Sequence, residues 1–262
     1  MTKKAEMSGV LTKHADNTPT RRIPPNQTDT PNRGTLEACQ QTTIPMTDGD
    51  PEQKSRPTPA KPEPPLTEAA TAKVAHETLA EDPGLGPIAS EHGVVELAPA
   101  DDPFQRLVVS ILRQQVSMSA AAAIQERLFA EVDVTPQGVL AAEETILREA
   151  GLSAAKTEYV RELATAWSDR GYSRTHFDDL SDGDIAAELT EIRGVGPWTV
   201  DMFLMFGLGR PDVFPVGDLG IRKGMWELFG DDLTRGEMKT YAERWQPYRS
   251  YASLYLWRAY DG

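Results

Sequence analysis

The ten residues "IRGVGPWTVD", Ile192 to Asp201, decide the fold. Two glycines one residue apart, Gly194 and Gly196, supply backbone freedom and leave no side chain between a ligand and the peptide N–H groups. Pro197 suits the first position of a following helix, where its missing N–H would have had no partner. The pattern predicts two helices joined by a tight turn. Two interpretations stay open: an ordinary helix corner, or a clamp whose free N–H groups and helix dipole bind a phosphate.

The first 66 residues differ in composition from the rest of the 262-residue chain. They contain 11 of the 20 prolines and none of the 5 tryptophans, with many Thr, Gln, Asn and Ser residues. Such a segment cannot bury enough apolar surface to offset its ordering entropy. We therefore expect a disordered Pro/Thr-rich tail over residues 1–66 and one folded domain over residues 67–262.

The charge of the expected domain is strongly negative. Residues 67–262 carry 18 basic against 32 acidic side chains, a net charge of about −14. Repulsion between like charges argues against nucleic acid as a partner. A saline cell would weaken this repulsion, because salt shortens the Debye length, and an acidic surface maintains solubility there. The 9 lysines against 18 arginines fit a salt-loving source without establishing it.

Metal and membrane functions have little support in the sequence. The single cysteine, Cys39, lies in the tail, which excludes an internal disulfide and an iron–sulfur cluster held by four cysteines. The 4 histidines lack the spacing of metal ligands. Neither a signal-peptide core nor a run of about 20 apolar residues occurs. The simplest expectation is a cytoplasmic monomer with no cofactor and no metal bound by side chains.

Helical periodicity dominates residues 67–262, and clear alternating strands are missing. Asp102 and Pro103 predict the start of one helix, and Ser117 predicts the start of the next. Residues expected to face the core of these two helices are Phe104, Leu107, Val108, Ile111, Leu112, Ala121, Ile124, Leu128 and Phe129. Further helices are expected at 137–149, 153–169, 182–192, 197–208, 218–229, 234–244 and 248–260. The domain is therefore predicted to be all-α.

Several motifs together resemble one family. "LTEIRGVGPWTVDMFLMFGL" resembles the helix-hairpin-helix of DNA repair glycosylases, and "DVFPVGDLGIRKG" places Asp218 where that superfamily has its catalytic aspartate. "ILRQQVSMSAAAAI", "GLSAAKTEYV" and "YAERWQPYRSYASLYLW" are similar to the AlkA-like DNA-3-methyladenine glycosylase II branch. The matches follow in order over about residues 82–260.

The resemblance implies a fold and an activity. The fold would have two helical lobes with the active-site cleft between them, and the partner would be double-stranded DNA with damaged bases. The enzyme would hydrolyse the N-glycosidic bond of alkylated purines such as 3-methyladenine and 7-methylguanine, leaving an abasic site in base excision repair. Two alternatives stay open: a glycosylase for an oxidised or mispaired base, and a non-catalytic helix-hairpin-helix DNA-binding module.

Asp218 has two compatible interpretations. An aspartate before an apolar helix is a good N-cap. An anionic carboxylate beside the sugar would also stabilise the positive charge of an oxocarbenium-like transition state, and it would orient or deprotonate the attacking water. An N3- or N7-alkylated purine is already cationic, so no second carboxylate is required as an acid.

The resemblance assigns three residues to a base pocket. Trp257 matches the family's stacking tryptophan, and Trp198 lies beside the hairpin. Aromatic faces attract a cationic ring, although simple core packing is the alternative for both tryptophans. Met202 stands where the best-known relative has a tyrosine, so the substrate range is expected to differ.

Trp198 also bears on the type of reaction. Related glycosylases that also cleave the DNA strand carry a lysine in the hairpin, at about the position of Trp198, and its amine attacks the sugar. Trp198 therefore predicts an enzyme without lyase activity. Lys223, on the following helix, is expected to contact phosphate or solvent.

Further residues are expected to contact DNA. The hairpin residues assigned to DNA binding, mainly through backbone N–H groups, are Gly194, Val195, Gly196, Trp198 and Thr199. A monovalent Na⁺ or K⁺ at the carbonyls of Ile192 and Gly194 would bridge the hairpin to a phosphate. Gln115 matches a wedge that fills the space of an extruded base, the alternative being a polar turn residue beside Gln114. Uncharged contacts of this kind predict a shallow salt dependence.

Arg249 is the other matched polar residue, and two roles stay open for it. It would either brace the base pocket or form a structural salt bridge with an acidic neighbour.

Overall fold

The computed structural model describes residues 67–261, so the predicted disordered tail lies outside the described residues. The described part is all-helical, as predicted, and contains no strand. Its helices are Glu68–Ala80 (α1), Gly86–His92 (α2), Pro103–Arg113 (α3), Met118–Glu131 (α4), Pro136–Ala141 (α5), Glu144–Glu149 (α6), Ala154–Asp169 (α7), Arg174–Asp178 (α8), Asp182–Thr190 (α9), Pro197–Phe206 (α10), Leu219–Phe229 (α11), Arg235–Ala242 (α12) and Arg249–Asp261 (α13), with a 3-10 turn at Glu243–Trp245. None of these helices combines the length and apolar character needed to cross a membrane.

The helices pack in two groups. One group contains α1, α2, α11, α12 and α13, with α13 packed most extensively against α11. The other contains α3 to α7 with α9 and α10, and α3 contacts α4, α7 and α10. Gly224 allows the close approach of α11 to α13, because a Cβ at this position would lie 2.2 Å from the carbonyl oxygen of Leu256. The two-lobed helical architecture is confirmed.

The start of α3 follows from its sequence. The side chain of Asp102 accepts a hydrogen bond from the N–H of Gln105 at 3.1 Å, and Pro103 occupies the first turn. The five apolar residues predicted to face inward are all buried: Phe104, Leu107, Val108, Ile111 and Leu112. Ser117 caps α4 in the same manner, accepting from the N–H of Ala120 at 3.2 Å. Both predicted helix starts are confirmed.

Two local predictions are wrong. The helix expected over 137–149 is two short helices, because Ala142 adopts an extended backbone with ψ 138° and ends α5. A guanidinium on α7, from Arg161, donates to the carbonyl of Ala142 and holds this break. Phe129 is 36% exposed instead of facing the core. Three helices at 68–80, 86–92 and 174–178 had not been predicted.

Candidate active site

A cleft of about 870 Å³ lies where the two groups of helices meet. Its walls come from the turn after α3, the start of α7, the turn between α9 and α10, and the start of α11. The polar side chains that line it include Gln114, Gln115, Lys156, Arg193 and Asp218. Segments far apart in sequence, each carrying one of the motifs quoted above, therefore meet in one place.

Asp218 is the N-cap of α11, as predicted. Its Oδ1 accepts a hydrogen bond from the N–H of Ile221 at 3.1 Å. The carboxylate also accepts two hydrogen bonds that the sequence did not predict. Trp198 Nε1 donates to Oδ2 at 2.9 Å, and Trp257 Nε1 donates to Oδ1 at 2.9 Å. Three N–H donors from three different elements therefore fix the orientation of this carboxylate.

Gly220 makes one of these contacts possible. A Cβ at position 220 would lie 2.7 Å from Cδ1 and 2.9 Å from Nε1 of Trp257, so any larger residue would displace the indole. The ring of Trp257 also packs against Phe206, with centroids 5.8 Å apart and planes inclined by 31°. The missing side chain at position 220 is the one sequence signal that could have indicated the contact.

The three residues assigned to a base pocket occupy different surroundings. Trp198 and Trp257 are half-buried and hold Asp218, and Trp198 also lines the cleft. Met202 is only 6% exposed and belongs to the core. Its contact with a base stays a prediction.

The hairpin turn is shaped by its first glycine. Gly194 has φ +91°, in the left-handed region that favours glycine. A Cβ there would lie 2.2 Å from Cγ of Tyr159 on α7, so the ring packs directly on the bare backbone. Gly196 has no atom within 4 Å of the position that a Cβ would take, and a ligand can approach it freely.

The N–H groups of the turn divide into engaged and available donors. The N–H of Val195 donates to the carbonyl of Ile192 at 3.0 Å, and the Val195 side chain is buried. None of the described residues accepts a hydrogen bond from the N–H of Gly196. Trp198 and Thr199 lie in the first turn of α10, where N–H groups lack intrahelical partners. These donors lie at the positive end of the helix dipole, where an anion is stabilised, and their contact with a DNA phosphate stays a prediction.

The carbonyls assigned to a monovalent ion already accept hydrogen bonds. Ile192 O accepts from Val195, and Gly194 O accepts from Gln114 Nε2 at 2.8 Å. Each carbonyl oxygen has two lone pairs, so one remains on each for a cation. Among residues 67–261, no three His, Cys, Asp or Glu side chains are grouped so as to hold a metal ion.

The turn after α3 brings both glutamines to the cleft. Gln114 Nε2 donates to Gly194 O and also to Thr199 Oγ1 at 2.9 Å. Gln115 is exposed and has φ +55°, the only positive φ outside glycine in residues 67–261. The predicted wedge residue therefore projects from a strained turn, and its insertion into DNA stays a prediction.

Two of the three cationic side chains that line the cleft, Arg193 and Lys156, are already engaged, whereas Arg113 has no side-chain hydrogen bond or ion pair among the described residues. Arg193 donates to Glu158 at 2.7 Å and lies 3.4 Å from Glu162, both on α7. Lys156, which the sequence analysis did not single out, donates to the carbonyl of Leu112 at 2.6 Å. Burial lowers the pKa of Lys156 below its ordinary value.

Two other cations lie away from these cleft walls. Lys223 donates to the hydroxyl of Tyr260 at 2.9 Å, and its contact with phosphate or solvent stays a prediction. Arg249 forms a two-pronged ion pair with Asp212, at 2.7 Å from Nε and 2.9 Å from Nη2. Of the two roles open for Arg249, the structure contains the salt bridge.

In residues 67–261, which are all-helical, the glycine hairpin and the capped aspartate share one cleft, and this is the arrangement expected of a helix-hairpin-helix repair protein. The family described as HhH-GPD superfamily base excision DNA repair protein matches residues 108–250. The chain belongs to this superfamily.

Individual relatives are similar over most of the described region. The chain is 34% identical over 188 residues to the putative DNA-3-methyladenine glycosylase YfjP of Bacillus subtilis, spanning 68% of this chain and 66% of that protein. It is 32% identical over 165 residues to DNA-3-methyladenine glycosylase 1 of Schizosaccharomyces pombe, spanning 60% and 72%. DNA-3-methyladenine glycosidase of Bacillus halodurans has a similar solved structure, with 34% identity, a TM-score of 0.62, and 70% and 87% of the two chains covered. The S. pombe 3-methyladenine DNA glycosylase in complex with abasic DNA gives 29% identity, a TM-score of 0.65, and coverage of 71% and 95%.

Proposed function

We propose that this protein is a DNA glycosylase that extrudes an alkylated purine from duplex DNA and hydrolyses its N-glycosidic bond. 3-Methyladenine and 7-methylguanine are the expected bases, and an abasic site is the product. Relatives from several organisms are named DNA-3-methyladenine glycosylases, and one is known in complex with abasic DNA. The proposal places the enzyme at the first step of base excision repair.

The observation that carries the proposal is the Asp218 carboxylate, fixed by three N–H donors at the cleft that the hairpin borders. A phosphate bound at Gly196 and Trp198 would anchor the DNA backbone beside this carboxylate. Positive charge develops on the sugar as the bond to the base breaks, and a fixed anion stabilises it without reorganising. The same carboxylate can accept a proton from the attacking water.

The leaving base shapes the rest of the site. A purine alkylated at N3 or N7 is cationic and departs as a neutral base, so no general acid is needed. The indoles of Trp198 and Trp257 stand beside Asp218, and aromatic surface there would attract a cationic ring. This selectivity for charged bases favours alkylated over normal purines.

The direct test measures base release from methylated duplex DNA. We expect wild-type protein to release 3-methyladenine and 7-methylguanine and Asp218→Asn to be at least about 100-fold slower, because the charge is lost. Asparagine is as good an N-cap as aspartate, so the start of α11 is retained. The exposed Asp178 provides a matched control, Asp178→Asn, which should keep the full rate. No release by wild type, or equal release by Asp218→Asn, would refute the proposal.

We further infer that the enzyme lacks lyase activity. Trp198 occupies the hairpin position where an attacking amine would stand, and among the described residues that line the cleft the only amine is Lys156. Lys156 is occupied with the Leu112 carbonyl at the end of α3. Incubation with abasic DNA and borohydride should give no covalent complex and no strand nicking. Trapping that disappears in Lys156→Ala would contradict this inference and identify the amine.

A further inference from the structure

Gln114 joins two elements that the proposed function requires to act together. Its carboxamide has two N–H bonds, and both are used, one to Gly194 O and one to Thr199 Oγ1. The two acceptors lie on either side of the hairpin turn, before and after Pro197. Thr199 is only 1% exposed, so loss of this donor would leave a buried hydroxyl without it. One side chain from the turn after α3 therefore joins the two sides of the hairpin turn.

The residue that follows Gln114 is held in an unfavourable conformation. Gln114 ends α3 with ψ 126°, and Gln115 then takes φ +55°. A left-handed backbone costs a residue other than glycine about 1 kcal/mol or more, and it persists only when its surroundings determine it. The surroundings here are the two hydrogen bonds of Gln114 and the hydrogen bond from Lys156 to Leu112 O. These three bonds hold the turn that presents Gln115 to the cleft.

We propose that Gln114 is a positioning residue that fixes Gln115 relative to the phosphate-binding hairpin. The inference rests on the proposed function, in which the hairpin grips a phosphate, and on the prediction that Gln115 enters the base stack. These two contacts lie on one stretch of duplex, so the separation between them must match the DNA. A displacement of about 1 Å is enough to lower an enzymatic rate by about 100-fold. The Gln114 amide sets this separation with two hydrogen bonds below 3 Å.

The test uses a readout that does not require catalysis. A duplex carrying a stable tetrahydrofuran abasic analogue, with 2-aminopurine as the base opposite, becomes fluorescent when the base is unstacked by an inserted side chain. We expect wild-type protein to raise the fluorescence and Gln114→Ala to raise it at most about half as much. Binding to the hairpin should weaken less than about threefold in Gln114→Ala, because the Gly196 and Trp198 donors remain. Gln105→Ala, on the same helix and without a side-chain hydrogen bond among the described residues, should behave as wild type.

A double-mutant cycle separates positioning from general stabilisation. If Gln114 acts through Gln115, the fluorescence of Gln114→Ala/Gln115→Ala should equal that of Gln115→Ala alone. Additive losses, an unchanged signal in Gln114→Ala, or a parallel loss of binding and fluorescence would overturn the inference. So would the absence of a wild-type fluorescence change.

Base release measured on the same proteins keeps the two proposals apart. On duplex 7-methylguanine DNA, Gln114→Ala should be about tenfold slower than wild type, whereas on the single strand, which has no partner base to separate, it should stay within about threefold. A fluorescence response without base release would refute the glycosylase activity and leave the positioning role supported. Equal losses on duplex and single strand would count against positioning.

Discussion

Replacing Trp198 by phenylalanine would test whether the indole N–H groups hold the proposed catalytic carboxylate. Phenylalanine fills much of the same space but cannot donate to Asp218 Oδ2, which accepts from Trp198 Nε1 at 2.9 Å. Oδ1 would keep its donors from Ile221 and Trp257. The carboxylate would then be fixed through one oxygen only, and its free oxygen would rotate away from the sugar or the water for part of the time.

The expected loss can be worked from the bond itself. A hydrogen bond to a charged group contributes about 1.5–3 kcal/mol. Because the site is half-buried and water can replace the donor, the lower part of this range applies, about 1.5–2 kcal/mol. This corresponds to a rate about 10- to 30-fold lower. Single-turnover release of 7-methylguanine from duplex DNA at saturating enzyme measures it without a contribution from binding.

Two further variants make this prediction specific. Trp257→Phe should lose a similar factor, because its bond to Oδ1 has the same length. Trp226→Phe is the matched control: its Nε1 donates to the carbonyl of Leu233 at 3.0 Å, outside the cleft, so the rate should not change. If both Trp198→Phe and Trp257→Phe stayed within twofold of wild type with unchanged melting temperatures, the carboxylate would not depend on these donors.

Three other predictions follow from local geometry. Gly194→Ala should lower the free energy of unfolding in urea by at least about 2 kcal/mol, because φ is +91° and the Cβ would enter an aromatic ring. Gly196→Ala has open space for its Cβ, so its free energy of unfolding should stay within about 0.5 kcal/mol of wild type, while a titration should show weaker binding to duplex DNA. Burial raises the pKa of Asp201 to about 7. Its contribution to the free energy of unfolding is therefore full below about pH 4 and is lost as the pH rises through 7, a decline of at most about 4 kcal/mol between pH 4 and 8. Urea unfolding of Asp201→Asn should lack this decline. Arg249→Ala should lower the free energy of unfolding by about 2 kcal/mol, since it leaves the partly buried Asp212 unpaired, and a thermal melt no lower than that of wild type would contradict this.

The helices were predictable where the sequence carries both a cap and a periodic apolar face. The start of α3, predicted from Asp102 and Pro103, and the start of α4, predicted from Ser117, are both correct, because capping depends on neighbours within one turn. The break at Ala142 was not predictable, since it depends on a guanidinium from α7, about 20 positions away. Phe129 fits a helical apolar face, yet no element covers that side of α4 sufficiently to bury it.

The site was predictable in its residues and not in its contacts. Motif spacing brought Asp218 and the hairpin together correctly on one cleft. The direction of the Trp198 and Trp257 indoles depends on how α10, α11 and α13 pack, and no local pattern encodes that. The same limit applies to Lys156, whose placement at the cleft requires the packing of α7 on α3.

The acidic composition raises the question of how this protein could bind DNA. A phosphate responds to the electric field of the groups near it rather than to the net charge of the whole protein. Arg193, beside the turn, is already neutralised by Glu158 and Glu162, so it would release few counterions on binding DNA. The N–H donors of Gly196 and Trp198 carry no net charge, and their hydrogen bonds are not screened as ion pairs are. Salt weakens DNA binding in proportion to the number of phosphates that lysine and arginine neutralise. A clamp built from peptide groups therefore loses little affinity as salt rises, while the same salt screens the repulsion from distant acidic side chains.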